Sequence, residues 1–99
     1  MVDEITLTKQ ATEGKRAGTL LQDETLLNAF NQLEHDYVQG WRNTDARDTD
    51  ARERLWQAVQ IVGKVKQHLS TMAANGKVAQ RQLDELAGKK RGFSLVRNA

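Results

Sequence analysis

Leu55, Ala58, Val62, Val65, Leu69 and Met72 are separated by three, four, three, four and three residues, the spacing of a helix with one packed apolar seam. Trp56 and Val59 widen that seam on one side. The spacing predicts a helix over 51–74, with Asp50 and Glu53 as its capping box. Several β-branched residues in this stretch would suit a strand. The length and period of the stripe decide for helix.

A seam of this kind must be covered, and the sequence supplies a partner. Leu26, Phe30, Leu33, Tyr37 and Trp41 step by four, three, four and four, with Leu27 and Val38 beside them. This predicts a second amphipathic helix ending near Arg42 and starting at about residue 20 or at Glu24. Thr19 with Gln22, or Asp23, would cap it. Residues 43–49 have turn composition, so the two helices, about 20–42 and 51–74, are expected to form an antiparallel hairpin with Trp41 and Trp56 near its tip. Asn75-Gly76 reads as a helix stop. A short third helix is expected over about 78–87, with Ala79, Leu83 and Leu86 on one face, ended by Gly88. Residues 1–18 lack a long stripe and carry Gly14 and Gly18, which reads as a flexible arm. The expected organisation is therefore an arm (1–18), an all-α helical domain (19–88) and a basic tail (89–99).

The core of such a unit is small. The 99 residues include no proline and no cysteine, and 38% are apolar, below the ordinary ~45–50%. Two amphipathic helices bury too little area to offset ordering at about 1.5 kcal/mol per residue. A second copy of the hairpin would cover the remainder, so a helical-bundle oligomer is expected. Its interface would draw on Leu26, Phe30, Leu33, Tyr37 and Trp41 from one helix and Leu55, Trp56, Val62, Leu69 and Met72 from the other. No apolar run reaches the roughly 20 residues needed to cross a bilayer, and Met1-Val2-Asp3-Glu4 does not read as a signal peptide. A cytoplasmic protein without membrane association is expected.

Charge is unevenly distributed. Residues 1–22 balance three acids with three bases, residues 23–54 hold eight acids and four bases, and residues 55–99 hold two acids and eight bases. The acidic and basic parts can attract each other within or between chains, and the basic part can meet nucleic acid non-specifically. Lys77, Arg81, Lys89, Lys90, Arg91 and Arg97 are the expected phosphate contacts.

Catalytic and metal-binding patterns are absent from the sequence. His35 and His68 stand apart, with no His-x-x-x-His or Glu-x-x-His spacing. Ser70 and Ser94 lie in no nucleophile context, and Gly14-Lys15-Arg16 lacks the glycine spacing of a phosphate loop. The carboxylates cluster at helix starts and in the turn, where capping accounts for them. The expectation is a binding protein, not an enzyme, with no metal and no cofactor.

Three segments carry a resemblance: Trp41-Arg42-Asn43-Thr44, the run from Asp48 to Trp56, and Asn75-Gly76-Lys77-Val78-Ala79. Between Trp41 and Leu86 the chain resembles small proteins of tailed bacteriophages and prophages. The resemblance implies a virion-assembly or DNA-packaging context in the cytoplasm of a bacterial host or on the virion, with another phage protein or a second copy as partner. Small terminase subunits are similar in outline, being short, helical, ring-forming and DNA-contacting, although this chain lacks their N-terminal helix-turn-helix. A small phage inhibitor of a host protein, acting through the acidic helix and turn, is a further reading.

Overall fold

The computed structural model describes the backbone of residues 3–98 and the side chains of residues 3–89. Three helices account for nearly all of it: α1 (Glu4–Leu21), α2 (Glu24–Asn43) and α3 (Thr49–Asn98). At ~1.5 Å per residue, α3 alone runs about 75 Å. The molecule measures 79 × 28 × 14 Å, so it is a rod one helix layer thick. Its radius of gyration, 21.6 Å, far exceeds the ~13 Å of a compact domain of this length.

The predicted antiparallel hairpin is present in α2 and the first half of α3. Gly40 faces Leu55 across it, and the Lys66 ammonium meets the Glu34 carboxylate at 3.4 Å. Asp23 caps α2 as one of the two expected candidates, its Oδ1 accepting from the Leu26 N–H at 2.9 Å. Asp48, not Asp50, caps α3: its Oδ1 accepts from the Ala51 N–H at 3.2 Å, which starts the helix at Thr49. Asp50 then lies inside the first turn, where its charge favours the positive helix end.

Residues 1–18 were expected to form a flexible arm; residues 4–21 instead form α1, laid along the second half of α3 in line with α2. Asp3 is its cap, with Oδ1 accepting from the Thr6 N–H at 2.7 Å. That hydrogen bond holds the Asp3 carboxyl below its ordinary value, so the cap is charged through the neutral range and weakens as pH falls through the lowered value. The Thr8 and Thr19 hydroxyls donate to the carbonyls four residues earlier and so remain compatible with helix. The seam of α1 is Leu7, Ala11, Gly14, Gly18 and Leu21, spaced four, three, four and three, with buried Ala17 beside it. It is a proper heptad stripe made mostly of small residues.

The expected stop at Asn75-Gly76 and the separate third helix over 78–87 are also corrected. α3 runs without a break from Thr49 to Asn98, and neither Gly76 nor Gly88 ends it. No glycine has positive φ among the described residues. Gly76 is buried because it is where α1 and α3 touch: a Cβ on Gly14 would lie 2.5 Å from the Gly76 Cα and 2.6 Å from the Met72 carbonyl oxygen. Glycine is needed here for lack of a side chain, not for a left-handed turn. Leu7, Ala17, Val62 and Ala79 are the buried apolar side chains that flank the contacts along the rod.

This geometry separates the glycines by function. Gly14→Ala places a methyl against backbone that cannot yield, and should cost about 1–3 kcal/mol or more despite the better helix propensity of alanine. Gly63 has nothing within 4 Å of a built Cβ. Gly63→Ala should therefore stabilise by about 0.5–1 kcal/mol. Thermal melts followed by far-UV circular dichroism at one fixed protein concentration would show opposite shifts in Tm.

Candidate interaction surface

A two-helix rod has two broad faces, and side-chain contacts identify each. On one face the Glu34–Lys66 pair bridges α2 and α3, and the Arg52 guanidinium lies 4.4 Å from the centre of the Trp41 ring. Further along the same side, Lys15 and Lys77 border a groove floored by Gly14, Gly18, Ala73 and Gly76. On the opposite face, Gln10 and Glu13 of α1 share a shallow cleft with His68, Met72 and Asn75 of α3.

Heptad spacing then places the large exposed apolar residues other than Ile5 and Val78. Ile61 and Val65 each precede a cleft residue by seven (His68 and Met72), and Leu20 follows Glu13 by seven, so all three lie on the cleft face. Leu33 lies on the same side of α2, seven residues from Gly40 and off the line of Glu34 and Trp41. The exposures are 44% for Leu20, 42% for Leu33, 59% for Ile61 and 44% for Val65. Trp41 (37%) and Trp56 (56%) belong to the other face, where Arg52 covers part of the Trp41 ring.

The residues read from sequence as an interface are divided by the fold. Val62 is buried in the α2–α3 seam, Leu26, Phe30, Tyr37, Leu55 and Leu69 are half-buried along it, and Met72 is half-buried against α1. Leu33, Trp41 and Trp56 remain exposed. Of the expected phosphate contacts, Lys77, Arg81 and Lys89 are exposed on the second half of α3. The side chains of Lys90, Arg91 and Arg97 lie outside the described residues. No group of three or more metal-ligating side chains comes together among the described residues. No described helix is long and apolar enough to cross a membrane. No family model, curated protein or solved structure matches the chain.

Sequence reasoning missed Ile61, which stands one position off the main stripe, and Arg52, which organises the hairpin tip. Arg52 Nη1 donates to the Trp41 and Thr44 carbonyls at 3.4 and 3.3 Å at the C-terminus of α2, where the Trp41 carbonyl also accepts from the Thr44 N–H. The Thr44 hydroxyl donates to the Gly40 carbonyl, and the Arg47 N–H to Asp45 Oδ1 at 2.9 Å. An arginine one turn into the helix after an aromatic-ended helix is the signal that a pairwise search would have found.

Arg52→Ala removes both hydrogen bonds and the ring contact. A loss of about 1–2 kcal/mol is expected from the magnitudes of a partly exposed cation–π contact and charged hydrogen bonds. The milder change Arg52→Lys should retain only part of that stability, since an ammonium cannot both stack and reach two carbonyls. Urea denaturation of the two variants would measure the difference.

Proposed function

We propose that this chain is a non-enzymatic helical interaction module that self-associates, in the setting of phage particle assembly or DNA packaging. The observation that carries the self-association is the thinness of the rod. With a 14 Å short axis there is no second layer, and only four apolar side chains are buried among the described residues. Such a hairpin leaves apolar side chains exposed on both broad faces, and mass action from a second copy would add to its stability. The phage setting rests on the resemblance of residues 41–86 alone, and its partner is a second copy or another protein of the particle.

Sedimentation velocity at micromolar concentration is the test. Mass at or above twice the chain mass of 11.2 kDa is expected, with Tm rising as concentration rises. A folded monomer over that range would remove the reading. Leu69 sits half-buried in the α3 seam, so Leu69→Asp should unfold or dissociate the protein by leaving a charge without a partner.

A second reading, nucleic-acid contact, is favoured by the placement of Lys15 and Lys77 along one groove with Arg81 and Lys89 exposed beyond it. It is weakened by Asp84 and Glu85 between those cations. Each phosphate neutralised would give a slope of about −0.9 in log affinity against log salt for duplex DNA. Binding that survives truncation after Gly88, or no binding at low salt, would exclude the basic tail as the anchor.

A further inference from the structure

We infer that the occupant of the cleft face is a second copy of this chain, packed antiparallel, with Leu20, Leu33, Ile61 and Val65 at the centre of the contact. The inference rests on the proposed self-association and adds to it the face and the direction. Three observations carry it.

The first is the distribution of apolar and charged groups between the two faces. The face of Trp41 and Trp56 is crossed by the Glu34–Lys66 pair, the Arg52 clamp and the two lysines of the groove. Covering it would strip water from all of these charges. The cleft face carries Glu13 and His68 but holds four large apolar side chains, each more than two-fifths exposed, with half-buried Leu26 and Met72 beside them.

The second is position along the rod. Gly14 opposite Gly76 and Gly40 opposite Leu55 fix the register. Leu33 is then level with Ile61, and Leu20 with the turn just after Leu69. The four exposed residues therefore fall in the middle of the stretch of α3 that α1 and α2 cover. A twofold axis through Val65 and His68 brings this patch onto itself, with Leu33 of one copy against Leu20 of the other. A broad face of 28 by 79 Å also exceeds the roughly 800 Å² per partner of a standard interface.

The third is charge. The half of the rod built from residues 23–66 holds eight acids and six bases, whereas residues 1–22 with 67–99 hold five acids and nine bases. The halves are thus −2 and +4. The excess of bases lies in residues 67–99, which hold six bases and two acids, whereas the hairpin tip, residues 42–54, balances four acids with four bases. An antiparallel partner sets the balanced tip of each copy toward the basic end of the other. A parallel partner would stack the two basic ends on each other.

Two measurements decide the matter. In sedimentation, Ile61→Lys and Leu33→Lys should weaken self-association at least a hundredfold while retaining helicity, because both sites are exposed in the single chain. Trp56→Lys, on the other face, should leave association unchanged. The reverse pattern would overturn the choice of face and leave self-association standing, whereas a monomeric wild type would remove both. The chain has no cysteine, so Ala46→Cys at the hairpin tip accepts a single spin label. Antiparallel packing places the two labels more than ~50 Å apart, the length of about 35 helical residues, and parallel packing places them within ~30 Å. This distance is read without any substitution on the cleft face, so a short value overturns the antiparallel arrangement even if the lysine variants fold poorly.

Discussion

The rod depends on the approach of two backbones at Gly14 and Gly76. Neither residue has a Cβ, so α1 and α3 come close enough for main-chain atoms of one helix to touch those of the other. Close approach gains dispersion contacts along the backbone but leaves no room for interleaved large side chains. Ala17 and Ala79, each 2% exposed, fill the seam where leucines would sit in an ordinary coiled coil. Larger residues are displaced to the rims, which is why Leu20 and Met72 flank this contact instead of lying within it. The exposed apolar face and the tight glycine crossing are therefore two sides of one packing choice.

The three segments of the hairpin are held by different means. At the tip, Arg52 closes the C-terminus of α2 through two carbonyls and a ring, and Asp48 opens α3. In the middle, Glu34 and Lys66 pair with both side chains one-third exposed, a contact of small energetic weight that still sets register. At the far end the glycine contact takes over. Between the last two, one extended residue, Asp23, breaks the line of α1 and α2 and restarts the helix with its own cap. That break lets the two helices differ in phase, so that α2 presents leucine and aromatic residues to α3 while α1 presents glycine and alanine.

What could be read from the sequence follows the size of the side chains. The leucine and aromatic stripe of α2 and the first half of α3 are strong periodic signals, and both helices lie close to where the spacing puts them. α1 has the same heptad period, but in Ala11, Gly14 and Gly18 the stripe is invisible to a search for bulky residues. Asn75-Gly76 is locally a stop, and nothing within a dozen residues argues otherwise. The information that overrides it is Gly14, sixty-two positions earlier and meaningful only once the chain has folded back. Asp48 and Asp50 illustrate the smaller limit: either fits as a cap, and the Asp45 turn before them selects the first. The exposed surface was half legible, because Leu33 and Trp56 look like seam residues until the register shows which flank each occupies.

The charge asymmetry of the sequence acquires its meaning from the same register. A simple hairpin of equal arms could have laid the acidic segment over the basic one and cancelled them. Here α2 covers the first half of α3, whereas α1, whose own charges balance, covers only the first part of the basic second half. The imbalance therefore survives folding and runs along a rod many Debye lengths long, since screening acts over about 8–10 Å at moderate salt. The basic end behaves as an electrostatic surface of its own. In the proposed dimer, apolar contact at the middle of the cleft face supplies attraction in either direction, and the basic end distinguishes one direction from the other. Salt would accordingly blunt the choice of direction more than the strength of the central contact, because the first is screened charge and the second is area removed from water.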